Sequence, residues 1–100
     1  MTVNGIDFDE VQLRAFCRRH AICRLSLFGS VLRADFRPES DVDVLVEFLP
    51  GARVSLFDLG GMTMELRDLL RRDVDLRTPS DLSQHFRQDV LREARPVYAA

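Results

Sequence analysis

The chain has 100 residues and a formal net charge of −2, and this length is typical of one domain with an ordinary hydrophobic core, so we expect residues 1–100 to form a single domain. The slightly acidic balance argues against direct nucleic-acid binding, which usually requires a strongly basic face. The sequence has neither the run of roughly 18 apolar residues that a membrane span requires nor a basic and apolar leader, which predicts a cytoplasmic protein without a membrane partner.

The first third of the chain predicts a helix, a strand and a turn. Asp7 or Asp9 can cap a helix that ends near His20, because apolar side chains recur at helical spacing after these residues. The segment 24–28 alternates as a strand, and the Gly-Ser pair at 29–30 then leads into a short helix. We expect the first helix to cover one face of the sheet.

The segment 41–48 is the clearest strand of the chain. Three valines and Phe48 share one face by alternation, whereas three acids and Leu45 share the other. One face of this strand is therefore predicted to lie in the core, and the other face to carry acidic side chains.

Residues 55–71 predict a second, longer helix. Its apolar positions recur at helical spacing, but Gly60 and Gly61 lie in its interior. Each glycine costs roughly 1 kcal/mol relative to alanine in a helix. We therefore expect this helix to be kinked or to start late.

The last part of the chain predicts a third strand, a helix and an edge strand. Residues 73–77 are short and alternating, residues 80–95 are mostly helical, and residues 96–99 can add a terminal edge strand. The apolar side chains expected to face inward from the helix are Phe86, Val90, Leu91 and Ala94. Together these elements predict an α+β fold, in which a small mixed sheet of three to four strands has its helices packed mainly on one face.

The acidic face of the 41–48 strand has the residue types that divalent cations bind. Asp41 and Asp43 are two residues apart on a strand, so they project from one face about 6 to 7 Å apart along the chain and can converge on one or two cations. Two Mg²⁺ ions can stabilise both the entering and the leaving oxygen of a phosphoryl substitution. A third carboxylate is then needed, and the spacing in the next strand allows either Asp73 or Asp75.

The Gly-Ser turn is the candidate phosphate site. Ser30 follows Gly29 at a predicted helix N-terminus, where its hydroxyl and the backbone N–H groups can hold the outer phosphates of a nucleoside triphosphate. All 14 basic residues are arginine, which excludes mechanisms that require lysine, including a P-loop or a Schiff base. Arg33 can neutralise phosphate charge or can instead form an ordinary ion pair with Asp35 or Glu39.

The order of these motifs resembles a known family. The segments 28–33 and 40–48, with their Gly-Ser-x10-Asp-x-Asp pattern, and the later segment 74–76 are similar to the minimal nucleotidyltransferase family of the DNA polymerase beta-like superfamily. The resemblance implies the polymerase beta-like palm fold and a Mg²⁺ site, with two ions, formed by Asp41, Asp43 and Asp75, so it favours Asp75 over Asp73. The nucleotide-binding set that it implies is Gly29, Ser30, Arg33 and Ser40.

The resemblance also implies a partner and a reaction. Small members of this family act as antitoxins that transfer AMP from ATP to a hydroxyl, typically of tyrosine, on an all-helical ribonuclease toxin of the HEPN family, which predicts a hetero-oligomer. Two alternatives remain: an antitoxin that neutralises the toxin only by binding it, and a transferase with a small-molecule acceptor. The candidate contact side chains for a binding module, most of them expected to pack in the core instead, are Val54, Phe57, Met62 and Met64.

Overall fold

Three helices and a mixed four-stranded sheet form the computed structural model, which describes residues 1–100. In chain order the elements are β1 (Thr2–Val3), β2 (Ile6–Asp7), α1 (Glu10–Arg19), β3 (Ile22–Phe28), β4 (Val42–Phe48), α2 (Leu56–Leu70), β5 (Val74–Arg77), α3 (Gln84–Glu93) and β6 (Arg95–Ala99). The main sheet has the order β5-β4-β3-β6, in which only the β4–β5 pair is parallel. The predicted α+β fold is confirmed. None of the three helices combines the length and apolarity needed to cross a membrane.

The core lies between one face of this sheet and helices α1 and α2. The alternating valines of β4 are fully buried there, as predicted. These valines belong to one cluster with apolar side chains of both helices. Each of the helix side chains is at most 7% exposed, and they are Leu13, Phe16, Cys17, Met62, Leu66 and Leu70. Burial of this apolar area supplies most of the driving force for folding. Helices α1 and α2 therefore cover one face of the sheet, which leaves the acidic strand positions on the other.

The starts of both core helices are set by capping side chains. Asp9 accepts the backbone N–H groups of Val11 and Gln12 at 3.0 and 3.1 Å, which fixes the first residue of α1. Ser55 and Asp58 form a reciprocal capping box at the start of α2. Helix α2 therefore begins where the sequence places Ser55, and the expected late start is wrong.

The opposite face of the sheet has a smaller buried layer that the sequence did not predict. Leu45 and Ser26 are paired in register on β4 and β3 and are only 1% and 2% exposed. The 3₁₀ turn Pro79–Asp81 packs against β4 on the way to α3, and Leu82 beside it is also buried. Leu45 is therefore a core residue, although it shares a strand face with acids.

Helix α3 contributes no buried side chain. Phe86 and Leu91, which were expected to face inward, are 56% and 40% exposed. Arg87 joins the helix to the preceding turn, because it donates to the carbonyl oxygens of Pro79 and Leu82 at 2.8 and 3.0 Å. The prediction of an inward apolar face is wrong for Phe86 and Leu91, whereas Val90 and Ala94 are partly buried.

An N-terminal hairpin, β1–β2, was also not predicted. Asn4 and Gly5 form its turn, with φ values of 48° and 84°, and Asn-Gly is the preferred pair for a two-residue hairpin turn of this kind. The Asn4 side-chain amide donates to the carbonyl oxygens of Val31 and Arg33 at 3.0 and 2.8 Å. The hairpin therefore fixes the backbone just after the Gly-Ser turn.

Candidate active site

Two carboxylates stand side by side on the sheet face opposite α1 and α2. Asp43 of β4 and Asp75 of β5 are register partners, and Phe28 of β3 is the partner of Asp43 on its other side. Directly paired residues project from the same face of a sheet. Asp41 lies one residue before β4 and is exposed. The structure therefore pairs Asp43 with Asp75, whereas Asp41 lies just before the first residue of β4.

The negative charges of Asp75 and Asp41 act on Asp43. The pKa of Asp43 is raised above its ordinary value of 3.8, first by burial and then by the negative charges of Asp75 and Asp41. The positive charge of Arg77 and the backbone N–H of Ser30 act in the opposite direction. An ionised Asp43 thus needs more positive charge than its surroundings provide.

Gly29 gives the Asp43 carboxylate the space that it occupies. Its φ of +74° is in the left-handed region, where side chains are disfavoured. A Cβ atom added here would lie 3.1 Å from Cγ of Asp43 and closer still to Oδ2. Glycine at position 29 is therefore required both by the backbone turn and by the carboxylate beside it.

Arg77 is a residue of this site that the sequence reasoning missed. Its Nε and Nη2 atoms donate to Oδ1 and Oδ2 of Asp75 at 3.0 and 3.2 Å. The signal was present, because residues 75 and 77 are two apart on a strand and project from the same face. By contrast, Asp73 forms an ion pair with Arg67 at 3.0 Å.

The Gly-Ser segment forms the expected short helix as a 3₁₀ helix, Gly29–Leu32. Arg33 follows it, is exposed, and forms no ion pair with Asp35 or Glu39. Gly29 and Arg33 line a cavity of about 490 Å³ whose remaining walls are Phe28, Leu32, Val90 and Glu93. The guanidinium of Arg33 is thus free to meet an anion at this cavity.

Ser40 is anchored through its backbone and does not line that cavity. Its carbonyl oxygen accepts a hydrogen bond from Nη2 of Arg72 at 3.0 Å, and the same nitrogen donates to the carbonyl of Arg37 at 2.8 Å. The Arg72 guanidinium also lies 4.7 Å from the centre of the Phe36 ring. Arg72 therefore holds the loop that leads into Asp41, and no spacing pattern in the sequence identifies this role.

The donor chemistry of the acids fits a magnesium site. Mg²⁺ prefers carboxylate oxygens, and three such groups are coupled here beside a glycine that makes room for one of them. In the structure, however, Asp41, Asp43 and Asp75 do not converge on one point as a set of three metal ligands. Arg77 engages both oxygens of Asp75, so this carboxylate is paired with a guanidinium.

Comparisons with known proteins show the family of this chain. The family profile described as the nucleotidyltransferase domain matches residues 10–98. A Methanocaldococcus jannaschii protein named "Putative protein adenylyltransferase MJ0435" is 37% identical over 79 residues, which cover 79% of this chain and 83% of that protein.

Two solved structures share the fold. A chain described as a "putative minimal nucleotidyltransferase" is 37% identical, with a TM-score of 0.69 and coverage of 90% of this chain and 97% of that chain. A chain from the tri-AMPylated Shewanella oneidensis HEPN toxin in complex with MNT antitoxin is 20% identical, with a TM-score of 0.63 and coverage of 91% and 70%. The match over most of the chain confirms the class of activity expected from the sequence, nucleotidyl transfer, and this chain belongs to the nucleotidyltransferase domain family.

Proposed function

We propose that this protein is a Mg²⁺-dependent adenylyltransferase that moves AMP from ATP to a hydroxyl of a HEPN-family ribonuclease toxin, with tyrosine as the acceptor, and that it acts as the antitoxin in a hetero-oligomer with this toxin. The observation that carries the proposal is the pairing of Asp43 with Asp75 beside Gly29, with Asp41 at the entrance of β4. Support for AMP as the transferred group comes from the name of the M. jannaschii relative and from the AMPylated HEPN toxin in the complex of similar fold.

Each residue of the site has a role in this reaction. Asp41, Asp43 and Asp75 would hold Mg²⁺, which supplies positive charge that stabilises the phosphate oxygens during in-line substitution. Arg33, exposed and unpaired at the cavity beside Gly29, contributes a guanidinium to the phosphates of ATP. Ser30 follows Gly29 in the same turn, and its hydroxyl is the second candidate to hold these phosphates.

The chemistry is a single displacement at phosphorus. The acceptor oxygen of the toxin forms a bond to the α-phosphorus of ATP, while the bond from that phosphorus to the bridging oxygen breaks and pyrophosphate leaves. The hydroxyl proton passes to a carboxylate of the site, for which Asp75 is the candidate, and then to solvent. Atoms and charge balance without a further co-reactant.

A second function, neutralisation by binding alone, is favoured by an exposed apolar surface on α2. Phe57 is 93% exposed, Leu56 is 86% exposed and Met64 is 57% exposed. Exposed apolar patches often mark protein–protein contact sites. Core packing was the expected role for most of these candidate contact residues. This is right for Met62, which is 2% exposed, and for Val54, which is partly buried against the core, but wrong for Phe57 and Met64.

A mass measurement separates the two functions. The purified protein is incubated with ATP, Mg²⁺ and its HEPN partner, and the toxin is examined by intact mass spectrometry. We expect an AMP adduct with the wild type and with Asp73→Ala, because Asp73 is paired with Arg67 outside the proposed ligand set. The double variant Asp41→Ala/Asp43→Ala should give none. No adduct with the wild type, or an equal adduct with the double variant, would contradict catalysis, whereas a double variant that still protects cells from the toxin would support binding alone.

A further inference from the structure

We infer that Arg77 is a counter-ion within the acidic site. Its guanidinium is paired with the carboxylate of Asp75, and a divalent cation that binds this carboxylate must displace it. This inference rests on the proposed function, because it takes Asp75 to be a ligand of the metal. It concerns a residue whose position in the sequence had suggested no role.

The contact between Arg77 and Asp75 uses both oxygens of the carboxylate. Nε of Arg77 lies 3.0 Å from Oδ1, and Nη2 lies 3.2 Å from Oδ2. Such a paired arrangement is the strongest geometry available between these two side chains. A metal ion that binds Asp75 must therefore compete with the guanidinium for the same oxygens.

The positive charge of Arg77 also interacts with acidic groups other than Asp75. The pKa of Arg77 is raised first by its hydrogen bonds and charge interaction with Asp75, and then by the negative charges of Asp81 and Asp43. Arg77 in turn lowers the pKa of Asp43, against the larger effects of burial and of the neighbouring acids. One guanidinium thus offsets part of the repulsion across the β4–β5 pair.

The pair can open without rearrangement of the fold. Both residues lie on the same short strand, and their side chains are 47% and 38% exposed, so the guanidinium can swing into solvent while β5 stays in place. Asp81, whose carboxylate accepts the backbone N–H of Thr78 at 3.0 Å, keeps negative charge near a displaced Arg77. Displacement therefore replaces one counter-ion of Asp75 by another of higher charge.

Cation binding without nucleotide tests the inference. Mn²⁺, which has a paramagnetic signal when free in solution, is titrated into the full chain, and free Mn²⁺ is measured by electron paramagnetic resonance. We expect Arg77→Gln to bind Mn²⁺ about twofold to fivefold more tightly than the wild type, the range expected from the loss of one exposed ion pair. Asp75→Asn should bind more weakly than both.

Two further variants separate competition from net charge. Arg67→Gln removes the same charge from an equally exposed arginine, which is paired with the more exposed Asp73, and it should leave Mn²⁺ affinity unchanged. Arg77→Lys keeps the charge but loses the paired contact, and it should bind Mn²⁺ with intermediate affinity. Circular dichroism melting without metal establishes that each variant is folded.

The possible failures are distinct. Equal or weaker Mn²⁺ binding by Arg77→Gln, with Asp75→Asn still impaired, would overturn the inference and make Arg77 a positioning residue that holds Asp75 for the metal. An equal gain with Arg67→Gln would reduce the effect to net charge and also overturn it. Absence of Mn²⁺ binding in the wild type and in every variant would instead contradict the proposed metal site, and the inference with it.

Discussion

Replacing Gly29 by alanine should disable the site while the protein remains folded. The added Cβ would lie 3.1 Å from Cγ of Asp43 and closer to Oδ2, at a residue whose φ is +74°. Asp43 is a short side chain that can rotate away, so the collision is relieved by moving the carboxylate out of its place beside Asp75. The expected damage is therefore to the arrangement of the acids more than to the fold.

The size of each effect can be worked out. Left-handed backbone costs an alanine about 1 kcal/mol, and an off-rotamer Asp43 costs about 1 kcal/mol more. A free-energy loss of about 2 kcal/mol lowers Tm by on the order of 10 °C in a chain of this size. A displacement of a reacting group by about 1 Å can cost about 100-fold in rate. We expect a loss of this order in AMP transfer, measured by intact mass of the partner below the Tm of the variant.

Gly51→Ala is the matched control. Gly51 has a φ of +85°, close to that of Gly29, but a Cβ atom there meets nothing within 4 Å. This control should lose about 1 kcal/mol of stability from backbone strain alone and keep the wild-type transfer rate. If Gly29→Ala were as active as Gly51→Ala at a temperature where both are folded, the reasoning about the carboxylate beside Gly29 would be refuted.

Burial and neighbouring acids raise the pKa of Asp43, so the metal-free folded state binds the proton of Asp43 more tightly than the unfolded chain does. Asp43→Asn should therefore raise Tm near pH 7, and this gain should disappear as pH falls below about 4. A gain in Tm that persisted in acid would contradict the assignment. Leu66→Ala, at a site 1% exposed, should lose about 2 to 5 kcal/mol in urea unfolding. Leu56→Ala, at a site 86% exposed, should change stability by less than about 0.5 kcal/mol, and equal losses would argue against the described core. Arg33→Gln should leave Tm unchanged but raise the KM for ATP several-fold, whereas Arg53→Gln, at another exposed arginine without an ion pair, should alter neither.

The main sheet could be predicted because its strands follow the simple period of two. The expected strand at 41–48 is Val42–Phe48, and the expected strands at 24–28 and 73–77 differ from the observed ones by at most two residues at an end. The same alternation placed Asp41 and Asp43 away from the core valines. Periodicity could not decide between Asp75 and Asp73. The acid that faces Asp43 is decided by the register of β4 with β5, two parallel strands that are distant in sequence.

Long-range packing explains what the sequence did not predict. Leu45 is buried because a turn more than 30 residues later, Pro79–Asp81, covers its strand face, and alternation within one strand carries no information about such a cover. Phe86 and Leu91 satisfy a helical pattern, yet they remain 56% and 40% exposed. Local periodicity predicts which side of an element is apolar, but not whether another element meets that side.

Two other omissions had local signals that were not used. Asn4-Gly5 is a strong hairpin-turn pair, but its flanking strands have only two residues each, too few for alternation to be recognised. Arg77 follows Asp75 at strand spacing, and attention to the acids alone left this counter-ion out. Basic residues two positions from a candidate ligand should therefore be considered together with it.

Helix α3 is held by few buried contacts, and this affects the cavity beside Gly29. Val90 and Glu93 of α3 form part of its wall, yet the helix buries no side chain and is tied to the 3₁₀ turn Pro79–Asp81 by Arg87. The free energy of local opening falls when few apolar contacts hold a segment. The amide hydrogens of α3 should thus exchange with deuterium before those of α1 and α2, and the wall that α3 contributes to this cavity should be its most easily deformed part.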